Sequence, residues 1–198
     1  MEETIFILTG AGASQDSGIQ TYRGENGYYE SAANIEADLH VSNLSQSEKI
    51  WKRLLPLYKQ IIEHEPGPTY KKLQDLISKS KECMLVTQNV DGYSHCLKGV
   101  EVIELHGTCK TMSCISCMKK VEITKEFIEN FEESKCECGG IIRPDIVLFG
   151  EELNSYLTTK IFTFIKKKRP TKIFFTLDKY IFYIRQIYFY IRQIYFLH

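Results

Sequence analysis

Two groups of residues in this 198-residue chain have the types and the spacing to do chemistry. The first is Cys114-Ile115-Ser116-Cys117, then 18 residues, then Cys136-Glu137-Cys138. Two close pairs of thiolates can wrap a tetrahedral ion between them, and with no coordination position left open such an ion is structural zinc rather than a Lewis acid. The second pair is one residue shorter than C-x-x-C, a shortening that metal knuckles tolerate. Cys109 lies close enough in sequence to compete as a ligand and ranks below these four; Cys83 and Cys96 have no such pairing. The second group is polar: Gln88-Asn89-Val90-Asp91, and His106 followed by Gly107. An imidazole titrates near neutral pH and can take a proton from a hydroxyl. A lone histidine is more often structural, and a Thr-Gln-Asn loop is as readily a plain turn, so position has to decide.

Three short segments provide that position: the apolar runs Ile5 to Leu8 and Met84 to Val86 read as buried strands, and Val102-Ile103-Glu104-Leu105 as a third short strand. Each ends in polar or small residues, and ligands of open α/β sheets bind at the carboxyl ends of the strands. The first runs into Thr9-Gly10-Ala11-Gly12-Ala13-Ser14, a strand, glycine turn and helix order that lets backbone N–H groups meet a pyrophosphate. The spacing is G-x-G-x-S, short of the full dinucleotide fingerprint, so a nucleotide site and a tight turn both fit. Between the strands, residues 43–80 read as helices. Leu44, Ile50, Trp51, Leu54, Leu55, Tyr58, Ile61 and Ile62 recur at three- and four-residue spacing, Pro66-Gly67-Pro68 interrupts, and Tyr70, Leu73, Leu76 and Ile77 resume the stripe. Trp51 and Tyr58 read as core; His40 and His64 read as surface.

Gly10 to Gly24, continuing through Asp16, Gly18, Ile19, Thr21, Tyr22 and Arg23, resembles the G-A-G-x-S-x-x-S-G-I-x-x-[FY]-R-G signature of the sirtuins, the NAD-dependent protein deacylases. Gln88 to Asp91 resembles their T-Q-N-x-D motif, Glu104-Leu105-His106-Gly107 their E-L-H-G motif, and Arg143 to Glu151 their R-P-D-x-V-x-F-G-E segment. The resemblance implies an α/β fold with an incomplete Rossmann-like parallel sheet, a helical insert over about 30–80 and a small four-cysteine zinc module inserted over about 109–143. It also implies cofactor contacts from Gly10, Ala11, Gly12, Ala13, Ser14, Asp16, Gly18, Ile19, Thr21, Tyr22, Arg23, Gln88, Asn89, Val90, Asp91 and His106. Of these, Asn89 and Asp91 would line the nicotinamide pocket and His106 would be the general base. Val147, Leu148, Phe149 and Gly150 would lie in a substrate-pairing strand, with Val147, Leu148 and Phe149 as the floor of an acyl-lysine tunnel and core packing as the alternative for Val147. The implied reaction moves the acyl group of a lysine in a protein or peptide onto ADP-ribose with release of nicotinamide. Between Trp51 and Tyr58 there is no Tyr-x-x-Arg pair of the kind found in desuccinylases, which favours acetyl. One departure is local: Gly92 to Gly99 is a residue longer than the family's loop and lacks its alanine.

The formal net charge of zero excludes sequence-independent nucleic-acid binding by bulk charge, but it hides two unlike pieces. Residues 1–160 sum to −7 and residues 161–198 to +7, and the last 38 residues hold 12 of the 24 aromatic residues and none of the glycines. Phe182 to Tyr188 is repeated at once as Phe189 to Tyr195, a low-complexity signature. The expectation is therefore a catalytic domain over 1–155 and a basic aromatic tail over 156–198, with the reading frame lost near 153–160 and three things the resemblance calls for missing: the next helix, a strand ending in a G-[TS]-S turn, and the later strands that hold the adenosine half of NAD. An inactive remnant or zinc-containing binding module is the alternative to an enzyme. Asp178, Lys179, Arg185 and Arg192 interrupt every transmembrane window, no signal-like start precedes the first strand, and the clustered cysteines suit a reducing cytoplasm. Oligomeric state is not legible.

Overall fold

The structure, a computed structural model, describes residues 3–20, 35–131 and 135–176. Strand β1 (Thr4–Thr9) is the anticipated first run, and all of it from Ile5 onward is buried. A four-residue helix α1 (Ile35–Asp38) leads to α2 (Ser47–Glu63) and α3 (Pro68–Ser78), which break where the Pro-Gly-Pro sequence places the break. Strand β2 (Glu82–Thr87) and strand β3 (Glu101–Glu104) follow, joined by a short 3-10 turn at Tyr93–Cys96. Next come β4 (Gly107–Cys114), β5 (Lys120–Glu122), α4 (Lys125–Glu129) and β6 (Ile142–Ile146). The chain then continues as α5 (Ser155–Lys168) and β7 (Lys172–Thr176).

The larger sheet is wholly parallel, in the order β3-β2-β1-β7. Its order reverses between β1 and β7, because the chain first winds outward through β2 and β3 and then returns to the other side of β1. Such a reversal leaves a crevice at the carboxyl ends of the strands. Alternation along β1 splits the core in two. Ile5 and Ile7 join Leu85 and the buried stripes of α2 and α3, whereas Phe6 and Leu8 join Met84, Val86, Ile103 and α5 residues Ile161 and Ile165. Trp51 and Tyr58 are core, as their spacing requires.

The smaller sheet is antiparallel, β5-β4-β6, and carries the cysteine module. Trp51 ties it to the helical segment: the indole N–H donates to the Ile142 carbonyl at 2.9 Å, and the ring meets Phe127 edge-on at 5.1 Å.

The anticipated boundary at 155 is corrected. Residues 155–176 are not a loose tail: Asn154 caps α5 by accepting from the backbone N–H groups of Tyr156 and Leu157, and β7 pairs in register with β1 from Ile5 to Thr9. A helix and a strand do follow Glu152, without the expected G-[TS]-S turn after the strand. The sequence pointed the other way because Lys166-Lys167-Lys168-Arg169 looked like the start of a basic tail, when it is the exposed end of a helix whose Ile161 and Ile165 are fully buried. Cations in the last turn also suit the helix dipole. Residues 1–176 sum to −2, so the −7 assigned to a shorter body is revised as well. The duplicated heptad, from Phe182 to Tyr195, lies outside the described residues.

Candidate functional site

The three polar segments singled out in the sequence meet at one end of the parallel sheet, because each follows a neighbouring strand. Gly10 to Ser14 leaves β1, Gln88 to Asp91 leaves β2, and His106 follows β3. The glycine turn is a 3-10 turn, Ala11–Ala13, closed by Ala13 N–H donating to the Gly10 carbonyl and Ser14 N–H to the Ala11 carbonyl. The N–H groups of Ala11 and Gly12 are left without an acceptor among the described residues. A Cβ at Gly12 would meet nothing within 4 Å. Open space beside unpaired donors is what a bound anion requires.

Ser14 is the hub of a buried cluster. Its hydroxyl donates to Asp91 Oδ2 at 2.6 Å and accepts from Asn89 Nδ2 at 3.0 Å; the Tyr70 hydroxyl lies 2.8 Å away. The backbone N–H of Tyr93 donates to the other Asp91 oxygen at 2.8 Å. Burial pushes the Asp91 carboxyl above its ordinary range, and the Ser14 and Tyr93 donors work against that shift. Ala11, Ser14, Ile19, Asn89, Val90 and Asp91 share one small cavity, which joins the glycine turn to the β2 loop.

His106 is half-buried, and its Nδ1 lies 3.1 Å from the Gln88 carbonyl. A backbone carbonyl only accepts, so Nδ1 carries the proton and Nε2 keeps the lone pair. Burial lowers the His106 pKa and the Gln88 bond opposes that, which leaves a neutral imidazole at pH 7. Beside it, both polar atoms of the Gln88 side chain are buried with no hydrogen-bond partner among the described residues, as is Thr9 Oγ1. Buried amides are rarely left so. A hydroxyl-bearing ribose at the strand ends would satisfy them, so the residues present fit a dinucleotide.

Other anticipated contacts are placed differently. Asp16 turns away from the cavity: its carboxylate accepts from the Thr69 N–H at 2.8 Å and hydroxyl at 2.7 Å, capping α3 from across the fold because Gly67 has no side chain to do so. Gly18 has φ +86° and lies against His64, whose ring a Cβ would meet at 2.5 Å. Ile19 is buried and lines the cavity, and Ala13 is fully buried. Thr21, Tyr22 and Arg23 lie outside the described residues.

The segment after β6 is more committed than a free edge strand. Val147 N–H donates to the His106 carbonyl, Phe149 N–H to the Leu39 carbonyl, and Val41 N–H to the Phe149 carbonyl. Leu148 N–H donates to Glu151 Oε2 at 2.8 Å, and Arg143 grips the same carboxylate with two N–H donors. Burial would raise the Glu151 pKa, yet Arg143 holds it below the usual carboxylate range. Leu148 is buried in the core, Val147 and Phe149 are half-buried, and Gly150 is exposed. Val147 lines a cleft of about 510 Å³ with Gly107, Asp145, Glu152 and Asn154. His40, read as a surface residue, is half-buried and bridges to Phe149. That contact joins residues over a hundred positions apart, and no local pattern signals it.

The four cysteines converge as their spacing predicts. Their sulfur atoms all lie within 4.8 Å of one another, with Cys114 and Cys138 at 3.6 Å and Cys117 and Cys136 at 3.7 Å. Tetrahedral zinc at its usual sulfur distance separates thiolates by about 3.8 Å, so the set fits that ion. The Cys117 N–H pointing at its sulfur helps pull the Cys114 thiol down to about 6, toward the ligating thiolate. Cys109 is buried and stands outside the cluster.

Comparison with known proteins agrees with this geometry. NAD-dependent protein deacetylase 2 of Geobacillus kaustophilus (strain HTA426) is 37% identical over 151 residues, 74% of this chain and 60% of that protein. An NAD-dependent protein deacetylase of Bacillus anthracis is 36% identical over 160 residues, 77% of this chain and 63% of that protein. The chain thus spans 60–63% of the length of these curated relatives. Among solved structures, a Sir2 homologue in complex with NAD matches with a TM-score of 0.79 and 26% identity, covering 96% of this chain and 74% of that one. A mutant Sir2 homologue in complex with ADP-ribose matches with a TM-score of 0.81 and 25% identity, covering 96% and 76%. The Sir2 family model matches residues 10–177, from the glycine turn to just past β7, and since that span holds the glycine turn, the loops after β2 and β3 and the cysteine cluster together, the chain belongs to the Sir2 family.

Proposed function

We propose that this chain is an NAD-dependent protein-lysine deacetylase, which transfers the acetyl group of a lysine in a protein or peptide to ADP-ribose and releases nicotinamide. The observation that carries the reading is His106: a neutral imidazole with Nδ1 committed to the Gln88 carbonyl and Nε2 free to accept, beside a buried glutamine amide with no partner among the described residues. When bound, NAD supplies the electrophilic ribose carbon and the nicotinamide leaving group. His106 accepts the proton of a ribose hydroxyl at Nε2, and Gln88 orients that ribose through its amide. Asn89 and Asp91, held by Ser14, face the nicotinamide carboxamide. Ala11 and Gly12 offer backbone N–H groups to the pyrophosphate, with Arg23 as a further donor. The substrate peptide has the Val147 carbonyl and the main chain of Gly150 to pair with, because the other backbone groups of that segment are engaged. Zinc on Cys114, Cys117, Cys136 and Cys138 is structural. Seven free cysteines, four of them in a metal geometry, suit a reducing cytoplasm, and among the described residues no helix is long and apolar enough to cross a membrane.

The test is nicotinamide release from NAD with an acetyl-lysine peptide. Wild-type protein is expected to release it, and His106→Ala to lose at least about 100-fold, the usual worth of a general base. Folded, zinc-loaded wild-type protein that releases no more than the variant would overturn the enzyme reading in favour of a binding module.

A further inference from the structure

We propose that Tyr70 is a positioning residue of this site, whose phenol directs the single proton of Ser14 onto Asp91 and so holds Asn89 and Asp91 in the orientation that receives nicotinamide; the inference rests on the nicotinamide reading given above. The donors and lone pairs around Ser14 Oγ fix the direction of each bond. A serine hydroxyl has one proton and two lone pairs. Asn89 Nδ2 can only donate, so it takes one lone pair, and Asp91 Oδ2 at 2.6 Å takes the proton. The one remaining position on Ser14 Oγ is a lone pair, and the Tyr70 hydroxyl at 2.8 Å therefore donates to it. Burial, with the Asp91 charge adding to it, holds the phenol in its protonated form, as a donor must be.

All four side chains are at most 6% exposed, so water does not substitute for a missing partner. Tyr70 supports the other Asp91 oxygen as well: its ring meets the Tyr93 ring edge-on at 6.0 Å, and the Tyr93 N–H holds Asp91 Oδ1. With Ser14 saturated, the Asn89 amide has one N–H and its carbonyl oxygen left for a ligand, a pattern complementary to a carboxamide. Without the phenol, Ser14 has an empty lone pair and its hydroxyl, and the amide hinged on it, can rotate.

Helix α3 also anchors the glycine turn through Thr69 on Asp16 and the Gly67 N–H on Ser17, so the test must separate positioning from anchoring. Tyr70→Phe keeps the ring and removes only the hydroxyl. Binding of ADP-ribose, and of nicotinamide in the presence of saturating ADP-ribose, is measured by calorimetry and ligand-observed NMR. Tyr70→Phe is expected to weaken nicotinamide about tenfold, the worth of one buried hydrogen bond, while ADP-ribose changes less than about twofold. In a Ser14→Ala background the same substitution should add nothing, since its effect passes through Ser14. Equal weakening of both ligands, the pattern expected of Ser17→Ala, or an effect that adds to Ser14→Ala, would overturn the proposal alone. Wild-type protein that binds neither ligand overturns the functional reading and this proposal with it.

Discussion

The chemistry of the site comes down to which protons are where. His106 has its Nδ1 proton fixed by a carbonyl and its pKa lowered by burial. The sign follows: below pH 6.5 the unfolded chain binds a proton at this residue that the folded chain resists, so protonating His106 costs both stability and the proton acceptor. The acidic limb of kcat/KM for nicotinamide release is therefore expected below pH 6.5. A limb above that value, in a pH–rate profile taken on stable protein, would show that a neighbouring charge rather than burial governs the residue. At this scale the sequence was informative about identity and silent about environment. His106, Gln88 and Asp91 could be named from their motifs. That Gln88 has a buried amide with no partner among the described residues, or that Asp16 caps a helix rather than facing the cavity, depends on residues far away in the chain.

Among the elements, the helical segment and the zinc module are coupled through one side chain. Trp51 on α2 donates to Ile142 at the start of β6 and packs against Phe127 and Phe131 around α4. It is the sole tryptophan and is fully buried, so its fluorescence reports on the module directly. Removing zinc with a chelator, or Cys117→Ser, is expected to release the clip between Cys114–Cys117 and Cys136–Cys138, and with it the packing of Trp51. The readout is a red shift of the tryptophan emission that follows zinc loss and reverses when zinc is restored. An unchanged spectrum after complete metal removal would mean that the two elements hold without the ion. The cysteine spacing foretold the cluster, since two close pairs have few other geometries. The Trp51 bridge was legible only as burial, because helical periodicity reports which side faces inward but not what it meets.

For the whole molecule, the deciding element is α5 with β7. Ile161 and Ile165 cover the face of the sheet formed by Phe6, Leu8, Met84, Val86 and Ile103, and β7 completes the edge of β1. Burying each isoleucine is worth about 1.5–3 kcal/mol, a large part of the roughly 5–15 kcal/mol by which a domain is stable. A chain ending at Leu153 is thus expected to lose cooperative unfolding, whereas one ending at Leu177 should retain it, as followed by thermal melts monitored by circular dichroism. A sharp transition in the shorter chain would mean that the domain is complete without α5 and β7. The same two elements also create the reversal of strand order beside the glycine turn, so they shape the crevice as well as the core.

What the residues determined alone was local and periodic. Three short strands ending in small or polar residues, two amphipathic helices and four paired cysteines each follow from spacing within a few positions, and all are present. Only the tertiary structure decided that β7 pairs with β1, that Leu148 is core, that Phe149 is already paired with 39–41, and that Tyr70 closes the Ser14 cluster. The physical reason is the same in each case. Burial and hydrogen-bond saturation depend on every group that reaches a point in space, and the groups that reach these points come from strands and helices far apart in the chain.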